Sequence, residues 1–445
     1  MLGEYRIEGR RAAEIAASVE RAVGSGELEP GQLLPPMREL ASRLEVNPNT
    51  VAAAYRTLRE RGVIETAGRR GSRVRSKPAT TARELARLDV PPGVRNLSDG
   101  NPDPALLPSL REAFAAAVEL ADREPTLYGE ASVDPELARL ARADLDADGV
   151  PDGPVAVASG SLDGIERVLA AHLRPGDAVA VEDPGWHSVL DLVPALGLRA
   201  VPVRVDAEGP LPDAVRAALE GGARALIVTD RAQNPTGAAV SATRARALRA
   251  VLEQYPEMLL VEDDHGHRIV DLPLHPLAGV TRHWAFTRSV AKAYGPDLRL
   301  AVLTGDPVTM DRVRGRQRLG PGWVSRLLQR AVVGLWVGGA VDTGVVAAAY
   351  RLRRDALIGA LAERGVEAWG RSGMNVWVPV PDETGAVARL LHSGWGVAAG
   401  ARFRMDAPPG LRITVSTLAP GEVGVVADAV ASAVGVGVGP GRRYV

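Results

Sequence analysis

The chain has 445 residues, 46% hydrophobic and 24% charged, with a formal net charge of −1. That composition suits a soluble globular protein of two or three domains with a sizeable core. The absence of cysteine excludes a disulfide framework, a thiolate metal site and a cysteine nucleophile. No apolar run reaches transmembrane length, and the charged, amphipathic start "MLGEYRIEGRRAAEIAASVE" does not read as a signal peptide, so a cytoplasmic protein with no membrane partner is expected. The near-neutral total hides an asymmetry. Residues 1–77 carry fourteen Lys/Arg against ten Asp/Glu, a mild basic bias that permits a nucleic-acid partner without proving one.

In chain order, Ile15, Val19 and Ala22/Val23 recur at helical spacing and predict a first helix ending near Gly24 and Gly26. After the "EPGQLLPP" turn, "MRELASRL" places Leu40 and Leu44 on one face. In "PNTVAAAYRTLRERG", Asn47 is a good N-cap, Pro48 suits the first helical position, and Val51, Tyr55 and Leu58 point one way. Two short helices joined by a tight turn have the shape of a helix-turn-helix, with the second placed for the major groove. "GVIETAGRRGSRVRS" then predicts two strands around a Gly-rich hairpin with Arg69, Arg70 and Arg73 at its tip. A small bundle with solvated charges would not explain short hydrogen-bonding side chains, Asn49 and Thr50, at the exposed start of the second helix.

Over some thirty residues, "LPPMRELASRLEVNPNTVAAAYRTLRERG" resembles the GntR-type winged-helix domain. The resemblance implies that Arg38, Asn49, Thr50 and wing Arg70 face double-stranded operator DNA, through base edges or phosphates. Pro48 departs from the pattern, since many members carry arginine there, which leaves base readout at that position in doubt. Residues 78–95, rich in proline and charge, read as a linker between a DNA-binding domain over 1–77 and the region that follows.

From about residue 96, strand-like runs alternate with helices, the signature of an α/β fold with a largely parallel sheet. "PVAVAS", "DAVAVED", "LRAVPVRV", "ALIVTD", "MLLVEDD" and "LAVLTG" are the strands, and ligands gather beyond the carboxyl ends of such strands. Ser159, Gly160 and Ser161 lie between a strand and a helix, where free amides make an anion site or simply a turn. Trp186 in "VEDPGWHS" can lie flat on a heteroaromatic ring or pack in the core. Asn234 in "DRAQNPTG" precedes proline and is pushed extended, with its amide free to reach a cleft. "LLVEDDHGH" offers Asp263 as a buried carboxylate able to keep a ring nitrogen protonated. A metal site from Asp263, Asp264, His265 and His267 is the weaker reading, because alternate strand residues point to opposite faces.

Among 53 Lys plus Arg there are two lysines, Lys77 and Lys292. Arginine carries charge at least as well, but only lysine has an amine that can lose its proton and attack a carbonyl. Lys292 sits in "RSVAKAYGPDLRLA" with Ser289 and Arg299, and Gly295-Pro296 prevents one continuous helix. An anion cradle, a stacking aromatic, an amide, a carboxylate, an amine and an arginine together are what pyridoxal 5'-phosphate requires.

The order and spacing of these residues resemble fold-type I aminotransferases across residues 96–435, with a small C-terminal α+β subdomain from about 340. Joined to the winged helix, the chain is similar to the MocR subfamily of GntR-type regulators. By that resemblance Lys292 carries the internal aldimine, Asp263 pairs with the pyridine nitrogen, Asn234 bonds the ring hydroxyl and Trp186 stacks on the ring. Gly160, Ser161, Ser289 and Arg299 hold the phosphate, Arg412 in "GLRITVSTL" binds a carboxylate, and Tyr128 serves the second subunit of a domain-swapped homodimer. His265 stands where the family has a tyrosine that contacts the ring hydroxyl, and Leu162 and Asp163 replace a frequent double glutamine. The function implied is a transcriptional regulator sensing a small amino compound or a B6 vitamer, with an active aminotransferase carrying a DNA-binding domain as the alternative.

Overall fold

The computed structural model describes residues 7–25, 27–29, 31–60, 63–66, 71–75, 83 and 87–435. It falls into two compact units, one holding residues 1–82 with 173–179 and 190–200, the other the rest.

In the first unit the expected apolar stripes become one small core. Helices α1 (Ala12–Ser25), α2 (Met37–Leu44) and α3 (Pro48–Glu60) bury Ile15, Val19, Leu40, Val51, Tyr55 and Leu58 together. Helix α2 ends on Glu45 in the left-handed region, with φ 54°. The Asn47 side chain then accepts from the Asn49 amide at 2.8 Å, so α3 starts where the capping residue says it should. Strands β1 (Ile64–Thr66) and β2 (Ser72–Val74) pair antiparallel, Ile64 opposite Val74. Arg73 is not at the hairpin tip. Strand register puts it opposite Glu65, to which its Nε donates at 2.7 Å. Arg69 and Arg70 lie outside the described residues, as do Lys77 and residues 78–82 and 84–86 of the linker.

In the second unit β3 (Arg95–Asn96) is followed by β4 (Ala156–Ala158), β5 (Ala178–Asp183), β6 (Arg199–Asp206), β7 (Gly209–Pro210), β8 (Ala223–Thr229), β9 (Leu259–Asp264), β10 (His283–Ser289) and β11 (Ala301–Gly305). Eight of these form one sheet in the order β4-β11-β10-β9-β8-β5-β6-β7. Strands β8, β9 and β10 run parallel, and β11 runs antiparallel to both β10 and β4. The sheet is therefore mixed. Residues 290–300 between β10 and β11 are too few for a crossover, so the chain turns straight back. Strand β10, "HWAFTRS", was not among the expected strands, because its ends are charged. It is nonetheless buried along nearly its whole length, with Arg288 at 1% exposure.

The C-terminal part follows its pattern closely. Helix Thr343–Ala362 precedes β12 (Asn375–Pro379), β13 (Trp395–Gly396), β14 (Ala398–Ala399) and β15 (Gly410–Thr414), and helix Val423–Val434 closes the set. Strands β12, β15 and β14 make a three-stranded sheet whose Val376, Val378 and Ile413 pack on Leu357, Leu361, Val426 and Val430. Leu97 joins this core and β3 pairs with β13, so the chain leaving the linker is stitched into the small C-terminal layer. Among the described residues, no helix is long and apolar enough to cross a membrane.

Candidate functional site

Beyond the ends of β4, β9 and β10 lies a cavity of about 340 Å³, as expected for an open α/β sheet. Gly160, Ser161, Ser289 and Arg299, the expected anion-site residues, all line it. Ser161 opens helix Ser161–His172, and its Oγ is buried with no partner among the described residues. Gly160 has φ 101°, and a Cβ there would lie 2.7 Å from Arg299 Nη2, so only glycine leaves room for that guanidinium. Arg299, itself at φ 42°, donates through Nη2 to the Ser159 carbonyl at 2.9 Å. The Ser289 Oγ accepts from the Ala291 amide at 3.1 Å, which starts the short helix Ala291–Tyr294 carrying Lys292.

The cavity is also lined by Trp186, Asn234, His265 and Lys292. The Lys292 amine donates to the Gly100 carbonyl at 2.5 Å. Burial, reinforced by the nearby Arg412 charge and opposed by Asp263, brings its pKa down to about 8. Arg412, on β15 and 2% exposed, donates to Asn234 Oδ1 at 3.0 Å and to the Ser98 carbonyl, with its guanidinium over the Phe403 ring. The Asn234–Pro235 peptide is cis, which the sequence did not announce. Gln233 braces that turn. Its Oε1 accepts from the Thr236 amide and hydroxyl, and its Nε2 donates to Glu182 and to the Pro184 carbonyl.

Asp263, the last residue but one of β9, has one oxygen engaged and one not. Its Oδ2 meets His265 Nδ1 at 3.0 Å, while Oδ1 is buried without a partner among the described residues. The other ring nitrogen of His265 meets the Ala232 carbonyl at 2.8 Å. Asp263 and Arg412 stand behind the residues that line this cavity, through His265 and Asn234, and Tyr128, expected to serve a second subunit, does not line it. Tyr128 is 94% exposed and its ring meets Trp323 edge-on.

The donor set fits pyridoxal 5'-phosphate. Ser161 Oγ and Asp263 Oδ1 are orphaned polar atoms of the kinds that a phosphate and a protonated ring nitrogen satisfy, and an amine lies in the same cavity.

Comparison with known proteins is consistent with this geometry. Residues 92–430 match the model for aminotransferase class I and II, and residues 11–74 that for bacterial regulatory proteins of the gntR family. The chain is 42% identical, over 95% of its length and 98% of the relative's, to the vitamin B6 salvage pathway transcriptional repressor PtsJ of Salmonella typhimurium. It is 30% identical, over 73% of its length and 70% of the relative's, to the pyridoxine biosynthesis transcriptional regulator PdxR of Corynebacterium glutamicum. The chain belongs to the MocR subfamily of GntR-type regulators. The fold of its large region is that of the α-aminoadipate aminotransferase LysN of Thermus thermophilus, solved with N-(5'-phosphopyridoxyl)-L-leucine. That match has a TM-score of 0.68 at 22% identity and covers 80% of this chain and 94% of LysN.

In this MocR-type regulator the four residues weighed as a metal set separate, as strand alternation requires. Asp263 and His265 face one another beside the cavity. Asp264 instead accepts from Arg231 at 2.9 Å and Arg288 at 3.0 Å, and His267 lies 3.1 Å from Asp144. Asp264, His267 and Asp148 could in outline hold a metal ion, but Arg288 already donates to Asp148 at 2.5 Å and to Asp264. A guanidinium holds these carboxylates together. The sequence reading missed this cluster, and also Asp183, whose carboxylate accepts from the amides of Met405, Asp406 and Ala407. An acidic residue before proline in "VEDPGWHS" was the available signal. In the winged helix, Arg38 and Asn49 are exposed and Thr50 partly so, on the helices that the family directs at DNA.

Proposed function

We propose that this regulator holds pyridoxal 5'-phosphate in the cavity and changes its grip on operator DNA when a B6 vitamer or a small amino compound engages the site. The observation that carries this reading is Lys292. One of two lysines in the chain, it lines a cavity together with Ser161, whose hydroxyl has no partner among the described residues, and His265, which holds Asp263. Near-full-length identity to a repressor named for vitamin B6 salvage supports a B6-linked signal and B6-linked target genes.

In this reading residues 1–77 bind DNA, 78–95 link, and 96–435 bind the cofactor. Gly160, Ser161, Ser289 and Arg299 hold the phosphate, Trp186 lies on the ring, Asn234 faces the ring hydroxyl and Asp263 the ring nitrogen. Bound there, the cofactor supplies an aldehyde that condenses with amines. Lys292, with its lowered pKa, offers a neutral amine near physiological pH. Arg412 binds a ligand carboxylate, which takes the place of the Ser98 carbonyl now bonded to it. Tyr128, exposed and outside its own cavity, serves the phosphate site of a second subunit in a domain-swapped homodimer. Arg38, Asn49, Thr50 and Arg70 contact the operator, and the protein works in the cytoplasm.

The same retained residues also suit a working aminotransferase, so the test measures both activities in one sample. Protein loaded with pyridoxal phosphate should show a near-visible band, and borohydride should fix the cofactor on the peptide containing Lys292. Operator affinity should then respond to added vitamer or amine, with little keto-acid formed. Rapid keto-acid formation with unchanged operator affinity would establish the enzyme and overturn the regulator.

A further inference from the structure

His265 follows Asp263 by two residues and lines the cavity beside Lys292. Both ring nitrogens are engaged inside the protein, Nδ1 with Asp263 Oδ2 at 3.0 Å and Nε2 with the Ala232 carbonyl at 2.8 Å. A carbonyl can only accept, so Nε2 carries a hydrogen, and an ionised carboxylate can only accept, so Nδ1 carries one too. Nothing on the ring is left to meet a ring hydroxyl of the cofactor.

The acceptor at Ala232 is itself built for this contact. Ala232 takes a left-handed conformation, φ 55°, which costs an alanine about 1 kcal/mol. One hydrogen bond holds it there and two glycines leave room for it. Its amide donates to Ser372 Oγ at 2.7 Å, and a Cβ at Gly373 would lie 2.5 Å from its own. A Cβ at Gly266, next to His265, would lie 3.0 Å from the Arg231 carbonyl and 3.2 Å from the Ala232 Cβ. Backbone strain held by that hydrogen bond and accommodated by the two glycines points to a constraint at this carbonyl. The opposite end of the chain of contacts is Asp263, whose unpartnered Oδ1 lies buried.

We infer that His265 is a positioning residue for Asp263: by bridging the Ala232 carbonyl and Asp263 Oδ2 as a double donor, it leaves Oδ1 fixed toward the ring nitrogen of the cofactor. This rests on the cofactor reading above. The surroundings suit the charged ring. Burial opposes it, but Asp263 outweighs burial and raises the His265 pKa, with Lys292 acting against and the Ala232 carbonyl in favour. A phenol in place of the imidazole has one O–H and cannot bridge two acceptors.

The test is titration of the wild type, His265→Phe and His265→Tyr with pyridoxal 5'-phosphate, followed at the near-visible band. Both variants should bind about ten- to a hundredfold more weakly, the range for losing a hydrogen bond to a charged group. His265→Tyr equal to wild type would show that position 265 serves the ring hydroxyl, and would overturn the bridge while leaving the cofactor reading intact. Failure of the wild type to take up cofactor would remove the cofactor reading itself. Should the variants not fold, histidine side-chain 15N shifts of the loaded wild type at pH 7.5 decide the matter. Two protonated nitrogens at His265 support the bridge, and one unprotonated nitrogen overturns it.

Discussion

Asp263 and Asp264 are consecutive residues at the end of β9, and the protein treats them in opposite ways. Asp264 has its oxygens taken by Arg231 and Arg288, which also hold Asp148 and, from Arg288, Asp144. Asp263 has one oxygen on His265 and one with no partner among the described residues. Alternation of side chains along a strand separates them. One carboxylate holds the fold together, and the other is left with capacity for something the chain does not supply.

The largest test of this contrast is on stability. Asp264→Asn should destabilise the cofactor-free protein by about 3–5 kcal/mol, because buried guanidinium groups lose their charge partner. Asp263→Asn should cost less, because His265, unlike a guanidinium, can shed its second proton when its partner's charge is lost, yet weaken pyridoxal phosphate binding about ten- to a hundredfold. Urea unfolding midpoints and cofactor titrations of the same two variants would show it. Equal losses of stability would erase the distinction.

Acid should separate the pair further. Burial alone would raise the Asp264 carboxyl, but Arg231 and Arg288 outweigh it and hold the pKa well below the usual carboxylate range. Its folded value lies below its unfolded one, so its stabilisation is present above about pH 4 and is lost as pH falls through the acid range. Thermal unfolding between pH 5 and pH 2, chosen to span those values, should therefore be less steeply pH-dependent in Asp264→Asn than in wild type.

A third test reads Lys292. With a pKa of about 8, roughly a tenth of the amine is neutral at pH 7 and about nine tenths at pH 9. Covalent cofactor uptake should therefore accelerate about tenfold across that interval, measured by stopped-flow absorbance. Arg412→Leu removes a repelling charge, so the lysine pKa should rise and the profile should move to higher pH. An unmoved profile would show that Arg412 does not act on Lys292.

The smallest effect is local. Asn47→Ala removes only the cap of α3 and should cost about 1 kcal/mol, well short of Asp264→Asn.

What could be read from the sequence follows from what kind of contact each feature needs. Helical stripes such as Ile15, Val19 and Ala22, and caps such as Asn47, are local patterns and appear where expected. Ser161 and Asn234 were legible because they follow expected strand ends, where an α/β sheet places ligands, and Lys292 and Arg299 because a rare lysine stands with an arginine just before the strand "LAVLTG". Arg288 was not legible. It sits in a strand with charged ends, and only the fold brings Asp144 and Asp148 to it, well over a hundred residues away in sequence. His265 could be named, but its role depends on the Ala232 carbonyl, whose direction is set by a left-handed residue that no composition rule predicts. The antiparallel β11 followed from a short connection that was visible but not weighed.

The most direct test of a regulator that reads its cofactor site is operator affinity measured with and without pyridoxal 5'-phosphate, for wild type and Lys292→Ala. Allosteric coupling of about 1–3 kcal/mol predicts a change of roughly 5- to 150-fold in the wild-type dissociation constant and none in the variant, which cannot link the cofactor. The same dissociation constant for wild type under both conditions, from protein shown by absorbance to be loaded, would contradict it.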